Sequence, residues 1–486
     1  MLEPDESGAG RKTHQLIGLG IGPLVFVACL LSPAPDGMSP LAWSVAALAL
    51  WMAVWWSTEA VPLFVTALLP LAVLPLLGVD SIRGAAAPFA HPVVFLLLGG
   101  FLIGLALEKW HLHRRIAFHI ILAVGNQPLN LIAGKMLATA FLSMWITNTA
   151  TTIMVLPIAM SLIAVITPNG KVSHGEAANF GTAMMLAIAY SASIGGMASL
   201  VGSPTNLLAA SYLEEVFQIE ITFAEWMLFA LPISALLLGC AYLVLTRIAF
   251  PVTNRLGAVD PSLVQGMLRE MGPMSVPEKR VCAVFVSVAL CWIFSPLVED
   301  WLDFDISDTG IALIGAIALF AIPANWSERT FLLDSTAVRR VPWEVLILFG
   351  GGLSLAKAID TTGLAVWIGD SLSFLEAMPL LVLIFGLTLL VVLLTELMSN
   401  TATVAAFLPI AGSLALGTDV APFLFVMPIA LAASAAFMLP VATPPNTLVF
   451  GTGYVTLPQM MRAGILLNVL GAAIIAVAIT AAARFI

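Results

Sequence analysis

The chain is 486 residues long, 60% of them apolar and only 10% charged, and its mean hydropathy is +1.04. These values lie well outside those of soluble globular domains and indicate a polytopic membrane protein. The net charge of −9 is spread over loops without a basic stripe, so no nucleic-acid partner is expected. The four cysteines lack paired metal-ligand spacing and the six histidines form no cluster, so we assign them no chemistry.

Hydropathy predicts an all-α protein with about eleven transmembrane helices, each long enough to cross a hydrocarbon core about 30 Å thick. The first 15 residues are polar and lack a signal-peptide pattern, so the first span is expected to insert the chain. The predicted spans are, in chain order, 16–33, 40–57, 61–78, 91–108, 180–213, 225–246, 281–298, 309–323, 342–359, 420–453 and 463–483.

Two further apolar segments, 130–166 and 379–416, are each interrupted in the middle by a polar motif. The first motif reads S-M-W-I-T-N-T-A-T from Ser143, and the second reads T-E-L-M-S-N-T-A-T from Thr395. Unpaired polar groups cost several kcal/mol each in hydrocarbon, so such a motif implies a use. We predict that each segment is a re-entrant helical hairpin with its motif at the tip.

The two motifs mark a duplication of the chain. Asn148 and Asn400 lie 252 residues apart, and the same offset relates Leu156-Pro157 to Leu408-Pro409 and Gly99-Gly100 to Gly351-Gly352. One predicted repeat covers 40–246 and the other 281–483, each with five spans and one hairpin. Because five is odd, the second repeat is inverted relative to the first. Inverted repeats are typical of secondary transporters, whose binding sites lie near the bilayer midplane.

Each repeat contains a second polar break, in the span that follows its hairpin. Gly202-Ser203-Pro204-Thr205-Asn206 interrupts the span at 180–213, and Ala442-Thr443-Pro444-Pro445-Asn446 interrupts the span at 420–453. Proline removes an amide donor and clashes with the preceding turn, so each span is expected to form two half-helices. A single break of this kind commonly serves packing. Two motifs in register, each followed by a Pro-Asn break, favour an ion or anion site.

The distribution of basic residues predicts the topology. With the N-terminus inside and both hairpins returning to their own side, all basic residues except Arg83, Lys357 and Arg484 are cytoplasmic. The predicted outer loops are acidic, including Glu214, Glu215, Glu220 and the segment 299–308. We therefore expect a multi-pass protein of the cell (inner) membrane with its C-terminus outside.

Two acidic residues lie at or near membrane depth, where an ionisable group suggests function. For Glu59, we favour a helix cap or an interfacial pair over a functional role. For Glu396, inside the second motif, proton binding and structural hydrogen bonding both stay open. The tryptophans near the N-terminus are interpreted as an interfacial belt and packing surface: Trp43, Trp51, Trp55 and Trp56.

These motifs resemble those of the divalent anion/sodium symporters, which include the dicarboxylate and citrate carriers of the INDY type. The resemblance rests on Thr147-Asn148-Thr149, Ser399-Asn400-Thr401, the two proline breaks and the segment Trp55–Pro62, and it covers essentially the whole chain. One departure is Thr147, where the family pattern usually has serine. The hydroxyl oxygen is retained and a methyl group is added, which puts the site volume in doubt.

The resemblance implies two Na⁺ sites and one substrate site. The sodium ligands carried over by motif are Ser143, Thr147, Asn148 and Gly202 in the first site, and Thr395, Met398, Asn400 and Ala442 in the second, with Met398 and Ala442 contributing carbonyls. The residues implied for the substrate carboxylates are Asn148, Thr149, Ser203, Pro204, Asn400, Thr401, Thr443 and Pro444. None of these motifs contains Lys or Arg, so sodium and helix dipoles would compensate the charge of a dianion.

The resemblance also implies a homodimer that works by an elevator mechanism. The expected scaffold comprises 1–125 (spans 1–4) and 251–375 (spans 7–9). The expected transport domain comprises 126–250, with the first hairpin, broken span 5 and span 6, and 376–486, with the second hairpin, broken span 10 and span 11.

The function predicted on these grounds is sodium-coupled symport of divalent anions, with C4-dicarboxylates such as succinate, malate or fumarate favoured. The alternatives are a sodium-independent dicarboxylate exchanger and a symporter for citrate or sulfate. A channel would need a continuous pore. An intramembrane enzyme is not expected, because the chain has no Gly-x-Ser-x-Gly or His-Glu-x-x-His motif and no close Asp or His pair in a span.

Overall fold

A computed structural model describes residues 12–166, 175–254, 261–302, 307–372, 374–375, 378–418 and 420–483. Arg255, Arg484 and residues 303–306, which served the topology prediction, lie outside the described residues. The described chain is α-helical apart from one short antiparallel ladder of two strands, Pro323–Asn325 and Thr330–Phe331, which was not predicted. The prediction of an all-α protein is therefore confirmed in class.

The helices run in chain order from α1 to α23. They are α1 Thr13–Leu31, α2 Pro40–Thr58, α3 Leu63–Thr66, α4 Leu69–Leu76, α5 Ile82–Ala86, α6 Pro92–Lys109, α7 Leu112–Val124, α8 Pro128–Ser143, α9 Asn148–Ile166, α10 Glu176–Met197, α11 Pro204–Phe217, α12 Phe223–Leu243, α13 Pro261–Glu270, α14 Val276–Leu302, α15 Asp308–Ala321, α16 Ser335–Arg340, α17 Trp343–Thr361, α18 Leu364–Ser371, α19 Leu380–Thr395, α20 Asn400–Thr418, α21 Phe423–Ala433, α22 Pro444–Gly451 and α23 Leu457–Ala482. A 3₁₀ turn, Ala87–Ala90, precedes α6, and a π-helical turn, Val244–Ala249, extends α12.

Seven helical stretches of the described chain are long and apolar enough to cross a bilayer, and the pair α17–α18, bent by 73°, makes up to eight. The seven include α20, whereas the apolar stretch of α9 is shorter. The chain is therefore a multi-pass membrane protein by helix length and composition. The total of eleven spans and the re-entrant course of the two hairpins stay predictions.

Proline and capping residues set several helix boundaries. Pro204 and Pro444 each occupy the first position of a helix, where the missing amide costs no hydrogen bond. Thr222 and Glu225 form a reciprocal capping box at the start of α12. The predicted span 61–78 is divided into α3 and α4, because the Pro70 ring is incompatible with a helical turn through Thr66.

The chain separates into two compact units. The first unit comprises Met1–His91, Trp343–Glu376 and Ala405–Val420. Within it, α1 packs on α2 through an aromatic surface in which the rings of Phe26 and Trp51 lie 5.0 Å apart, and Trp43 donates to the Cys29 carbonyl at 2.7 Å. Glu59 is exposed at the C-terminal cap of α2, which agrees with the helix-cap interpretation.

The second unit comprises Pro92–Pro342, Ala377–Val404 and Ala421–Ile486, and it contains both polar motifs and both proline breaks. Its central helix, α10, is buried from Phe180 to Met197. Side chains from neighbouring helices donate to its carbonyls: Ser234 to Ile194 at 2.6 Å and Trp226 to Met197 at 3.0 Å. These bonds satisfy backbone groups near the point where α10 ends.

Candidate substrate and sodium site

The two motifs place a hydroxyl and an amide in the same arrangement. α8 ends at Ser143 and α9 begins at Asn148, and the Ser143 hydroxyl donates to Asn148 Oδ1 at 2.6 Å. α19 ends at Thr395 and α20 begins at Asn400, and the Thr395 hydroxyl donates to Asn400 Oδ1 at 2.7 Å. Both hydroxyl residues are fully buried, whereas both asparagines are half-buried. Each pair concentrates neutral oxygen atoms between two helix ends.

Two glycines allow the first motif to approach the break after α10. A Cβ on Gly196 would lie 2.4 Å from Asn148 Oδ1, and a Cβ on Gly202 would lie 2.9 Å from the Ser143 carbonyl oxygen. Real Cβ atoms essentially never come closer than 3.0 Å to such atoms. The contact between the Ser143–Asn148 pair and the break therefore depends on both glycines.

In each break, an asparagine side chain donates hydrogen bonds to two backbone carbonyls at the same spacings. Asn206 Nδ2 donates to the carbonyl of Gly196, ten residues back, at 2.8 Å and to that of Ser199, seven residues back, at 2.7 Å. Asn446 Nδ2 donates to the carbonyls of Ala436 and Leu439, again ten and seven residues back, at 3.1 and 3.0 Å. These bonds replace part of the helical ladder that proline interrupts.

The half-helices after the breaks begin alike. Ser203 and Thr443 are the cap residues of α11 and α22, both with extended backbone, and each precedes a proline. Thr443 Oγ1 accepts from the amide of Asn446 at 3.3 Å, whereas the Ser203 side chain makes no cap bond. The amides of a helix N-terminus carry partial positive charge and suit an anionic group.

Side-chain hydroxyls join the first break to the end of α21. Ser203 Oγ lies 2.8 Å from Thr205 Oγ1, which lies 3.0 Å from Ser434 Oγ at the end of α21. The neighbouring carbonyl of Ala433 accepts from Thr395 at 3.0 Å. Short polar contacts therefore lead from the first break to the second motif within one compact unit.

Glu396 supports the second break. Its Oε1 atom accepts from the amides of Phe437 and Met438 at 2.7 and 2.8 Å, and Oε2 accepts from Leu439 at 2.9 Å. Asn468 Nδ2 adds a fourth bond at 2.7 Å. Four N–H donors aimed at one carboxyl group match an ionised carboxylate, because a protonated carboxylic acid needs an acceptor. This geometry favours the structural interpretation of Glu396 over proton binding.

The predicted site residues all lie in the second unit, at the helix ends and breaks where the sequence places them. Hydrogen bonds or close packing bring together Ser143, Asn148 and Gly202 around the first motif, and Thr395 and Asn400 around the second. The Thr147 hydroxyl accepts from the amide of Ala150. Within the described residues, no side-chain hydrogen bond joins Thr149, Met398 or Thr401 to these groups.

The donor set fits sodium better than a divalent transition metal. Within the ranges that the structure describes, no group of three or more His, Cys, Asp or Glu residues could hold a metal ion. The available atoms are hydroxyl, amide and carbonyl oxygens, which suit hard cations such as sodium.

Sequence reasoning missed several residues that shape the site. Gly196 and Ser434 carried no motif signal, because each acts through a contact distant in sequence. Asn206 and Asn446 could have been recognised, since each follows the first proline of its break by two residues. Asn468 is a lone amide in the apolar span predicted at 463–483, which is itself a signal for a buried polar contact.

The chain belongs to the sodium:sulfate symporter family, whose transmembrane-region model matches residues 14–485. It is 38% identical over 469 residues to the sodium-dependent dicarboxylate transporter SdcS of Staphylococcus saprophyticus, with 95% of this chain and 90% of that protein covered. It is 37% identical to the SdcS protein of Staphylococcus aureus, with 96% and 90% covered. The predicted resemblance to the divalent anion/sodium symporters is confirmed.

Solved structures of two other transporters share the fold at low sequence identity. MtrF of Neisseria gonorrhoeae matches with a TM-score of 0.58 and 11% identity, covering 97% of this chain and 95% of its own. YdaH of Alcanivorax borkumensis matches with a TM-score of 0.55 and 12% identity, covering 97% of both chains. At such identity, the likeness concerns the fold alone.

Gly196→Ala tests the approach of α10 to the first motif. The added methyl group has to displace Asn148, so we expect the mutation to destabilise the protein by about 2 kcal/mol. Gly239→Ala is the matched control, because an added Cβ there meets nothing within 4 Å and stability should change by no more than about 1 kcal/mol. The measurement is denaturant-induced unfolding in mixed micelles. Equal stability of the two variants would contradict the close contact.

Proposed function

We propose that the protein is a sodium-coupled symporter of divalent anions, with C4-dicarboxylates such as succinate, malate or fumarate as its preferred substrates. The observation that carries this proposal is the pair of matched clusters, Ser143–Asn148 and Thr395–Asn400, in one compact unit. Family membership and the sodium-dependent dicarboxylate transporters at 37–38% identity support it.

In this proposal, the neutral oxygens of each cluster bind one sodium ion. Ser143, Thr147, Asn148 and the Gly202 carbonyl serve the first ion; Thr395, Asn400 and the carbonyls of Met398 and Ala442 serve the second. Neutral oxygens compensate a cation through their dipoles without a permanent negative charge. The bound ions thus keep their charge available to the substrate.

The substrate carboxylates are proposed to bind between the motif tips and the half-helix starts. Asn148, Thr149, Asn400 and Thr401 are half-buried, which leaves them accessible to a ligand. Ser203-Pro204 and Thr443-Pro444 begin α11 and α22, whose N-terminal amides favour negative charge. None of these residues is basic, so affinity for a dianion depends on the sodium ions.

We further propose that the two halves of the chain are inverted repeats and that the protein moves as a dimeric elevator. The equal ten- and seven-residue spacings of the Asn206 and Asn446 bonds support the repeat, since the same local structure recurs in both breaks. The proposed location is the cell (inner) membrane, with the N-terminus inside and the C-terminus outside.

The first expected outcome concerns the driving ion. Succinate uptake into proteoliposomes should require an inward sodium gradient, because the proposed substrate site lacks any fixed positive side chain. Uptake is measured in sodium and in choline buffer at equal ionic strength. Equal rates in the two buffers would instead support the alternative function of a sodium-independent exchanger. Competition by malate, fumarate, citrate and sulfate ranks the substrates.

Asn148→Ala and Asn400→Ala should each lower sodium-dependent uptake by at least about tenfold, because each removes an oxygen proposed for the cation and a donor proposed for the anion. Asn254→Ala is the matched control, since Asn254 bonds Gln127 at 2.5 Å outside both motifs and its loss should leave uptake nearly unchanged. Near-normal uptake by either motif variant would place that asparagine outside the site.

The pH dependence should follow the charge of the substrate. Succinate uptake is expected to fall as the pH drops from about 6 to about 5, because the singly protonated acid interacts more weakly with cations and helix dipoles. Fumarate, which stays a dianion over this range, should be affected much less. Glu396→Gln should lower uptake by disturbing the amides of 437–439, while leaving the pH profile of the remaining uptake unchanged.

One outcome of the pH experiment would contradict a purely structural role of Glu396. If wild-type succinate uptake rises on acidification and Glu396→Gln removes the rise, Glu396 binds a proton during transport, and sodium is not the sole driving ion.

A further inference from the structure

Lys135 is a buried lysine that the proposed transport site does not use. It lies in α8, its side chain is 0% exposed, and its ammonium nitrogen has no hydrogen-bond partner in the described structure. Thr139, one helical turn further on, is also 0% exposed with an unpaired hydroxyl. Ser143 of the first motif follows after one more turn. The three residues therefore lie along one face of α8.

This face of α8 points into the second unit. Leu137 and Phe141, which are 47% and 39% exposed, lie on the opposite side of the helix. Gly134, next to Lys135 in sequence, approaches Ile121 and Val124 of α7. Lysines in membrane proteins usually extend their amine to the polar interface. Lys135 does not, because its whole side chain is enclosed.

The titratable side chains on the helices packed against α8 are bonded elsewhere or exposed. These helices are α7, α9, α10 and α12. On α7, Arg115 pairs with Glu278 at 2.5 Å, His119 bonds the Arg115 carbonyl, and Arg114 is exposed. His113 lies 2.7 Å from the Leu107 carbonyl, and burial lowers the pKa of His113 to about 4.

The titratable side chains of the other three helices do not neutralise Lys135 either. On α10, Glu176 accepts from Thr253 and Tyr190 donates to the Phe437 carbonyl. On α12, Glu225 belongs to the capping box with Thr222, while Cys240 and Tyr242 are half-buried. α9 carries no titratable side chain. Within the described chain, no carboxylate neutralises Lys135.

A charged ammonium group without an acceptor is very costly in such surroundings, so the conformation described here fits a neutral amine. We propose that Lys135 is a proton-binding site of this protein, neutral while α8 is packed as seen here and protonated whenever water reaches the inner face of α8. Protonation of Lys135 then destabilises the packed conformation of the first hairpin. The unpaired Thr139 hydroxyl lies between Lys135 and Ser143 on this face of α8.

Stability measurements test this proposal without any assumption about transport. The unfolded lysine is protonated below about pH 10, so unfolding of the wild type takes up one proton at Lys135. Its stability relative to Lys135→Met should therefore rise with pH below about pH 10, by up to about tenfold in the unfolding constant per pH unit. The measurement is the unfolding equilibrium in mixed micelles.

Lys135→Arg provides the matched control, because arginine stays charged throughout this pH range. It should be less stable than Lys135→Met at every pH, and the difference between these two variants should not change with pH. Should Lys135→Met fail to fold, Lys135→Leu replaces it. The proposal would be overturned if the stability difference between the wild type and the apolar variant did not change with pH. It would also be overturned if Lys135→Arg were as stable as the wild type.

A second measurement rests on the proposed function. Acidification should affect fumarate uptake less than succinate uptake, but sodium-dependent fumarate uptake by the wild type should still fall as Lys135 is protonated. Lys135→Met should retain sodium-dependent uptake with a smaller fall. If the wild type shows no sodium-dependent uptake, the proposed function fails while the stability experiment still decides the role of Lys135. If instead chloride stabilises the wild type relative to gluconate and this effect disappears in Lys135→Met, a bound anion neutralises the lysine and the proton site is wrong.

Discussion

The site depends on how backbone groups are satisfied where helices stop inside an apolar protein. A helix that ends leaves carbonyl oxygens without partners, and hydrocarbon offers no water to replace them. Asn206 and Asn446 solve this problem identically, each by donating to carbonyls ten and seven residues back. Because the carbonyls are held by an amide rather than by the next helical turn, the chain can leave the helix and begin another one at proline.

The two breaks nevertheless differ in the side chain that accepts hydrogen bonds from the backbone amides of the unwound segment. In the first break, Ser199 is the linking residue: its hydroxyl donates to the Met144 carbonyl and accepts from the Gly202 amide. In the second, the Glu396 carboxylate accepts from three consecutive amides and from Asn468. Glu396 occupies the motif position that corresponds to Met144. The two breaks therefore share their backbone geometry, whereas only the second one is held by a negatively charged side chain.

The sequence was sufficient for the features that arise locally. The break after α10 was predictable from Pro204, and the helix starts at Asn148 and Asn400 were predictable because both residues interrupt long apolar segments. Each of these signals concerns a helix boundary, which depends on residues a few positions away.

Contacts between distant segments were beyond local reasoning. Glu396 meets amides 41 to 43 residues away, and those N–H donors favour an ionised over a protonated carboxyl group. Gly196 approaches Asn148 through the packing of α10 beside α8, which no spacing in the sequence encodes. The contact between Thr205 and Ser434 spans 229 residues. Packing between helices, rather than the helix propensity of individual residues, determines where these side chains lie.

The charge distribution connects the geometry to ion coupling. Four amide and asparagine donors already engage Glu396, so its negative charge is partly compensated and still adds a favourable field for a cation near Thr395. The half-helix starts at Pro204 and Pro444 supply only partial positive charge, which falls short of balancing a dianion. A dianion bound there without cations would leave uncompensated negative charge in an apolar setting. Under the proposed function, sodium ions held by neutral oxygens would remove that deficit, so binding of the anion and of the cations is expected to be mutually dependent.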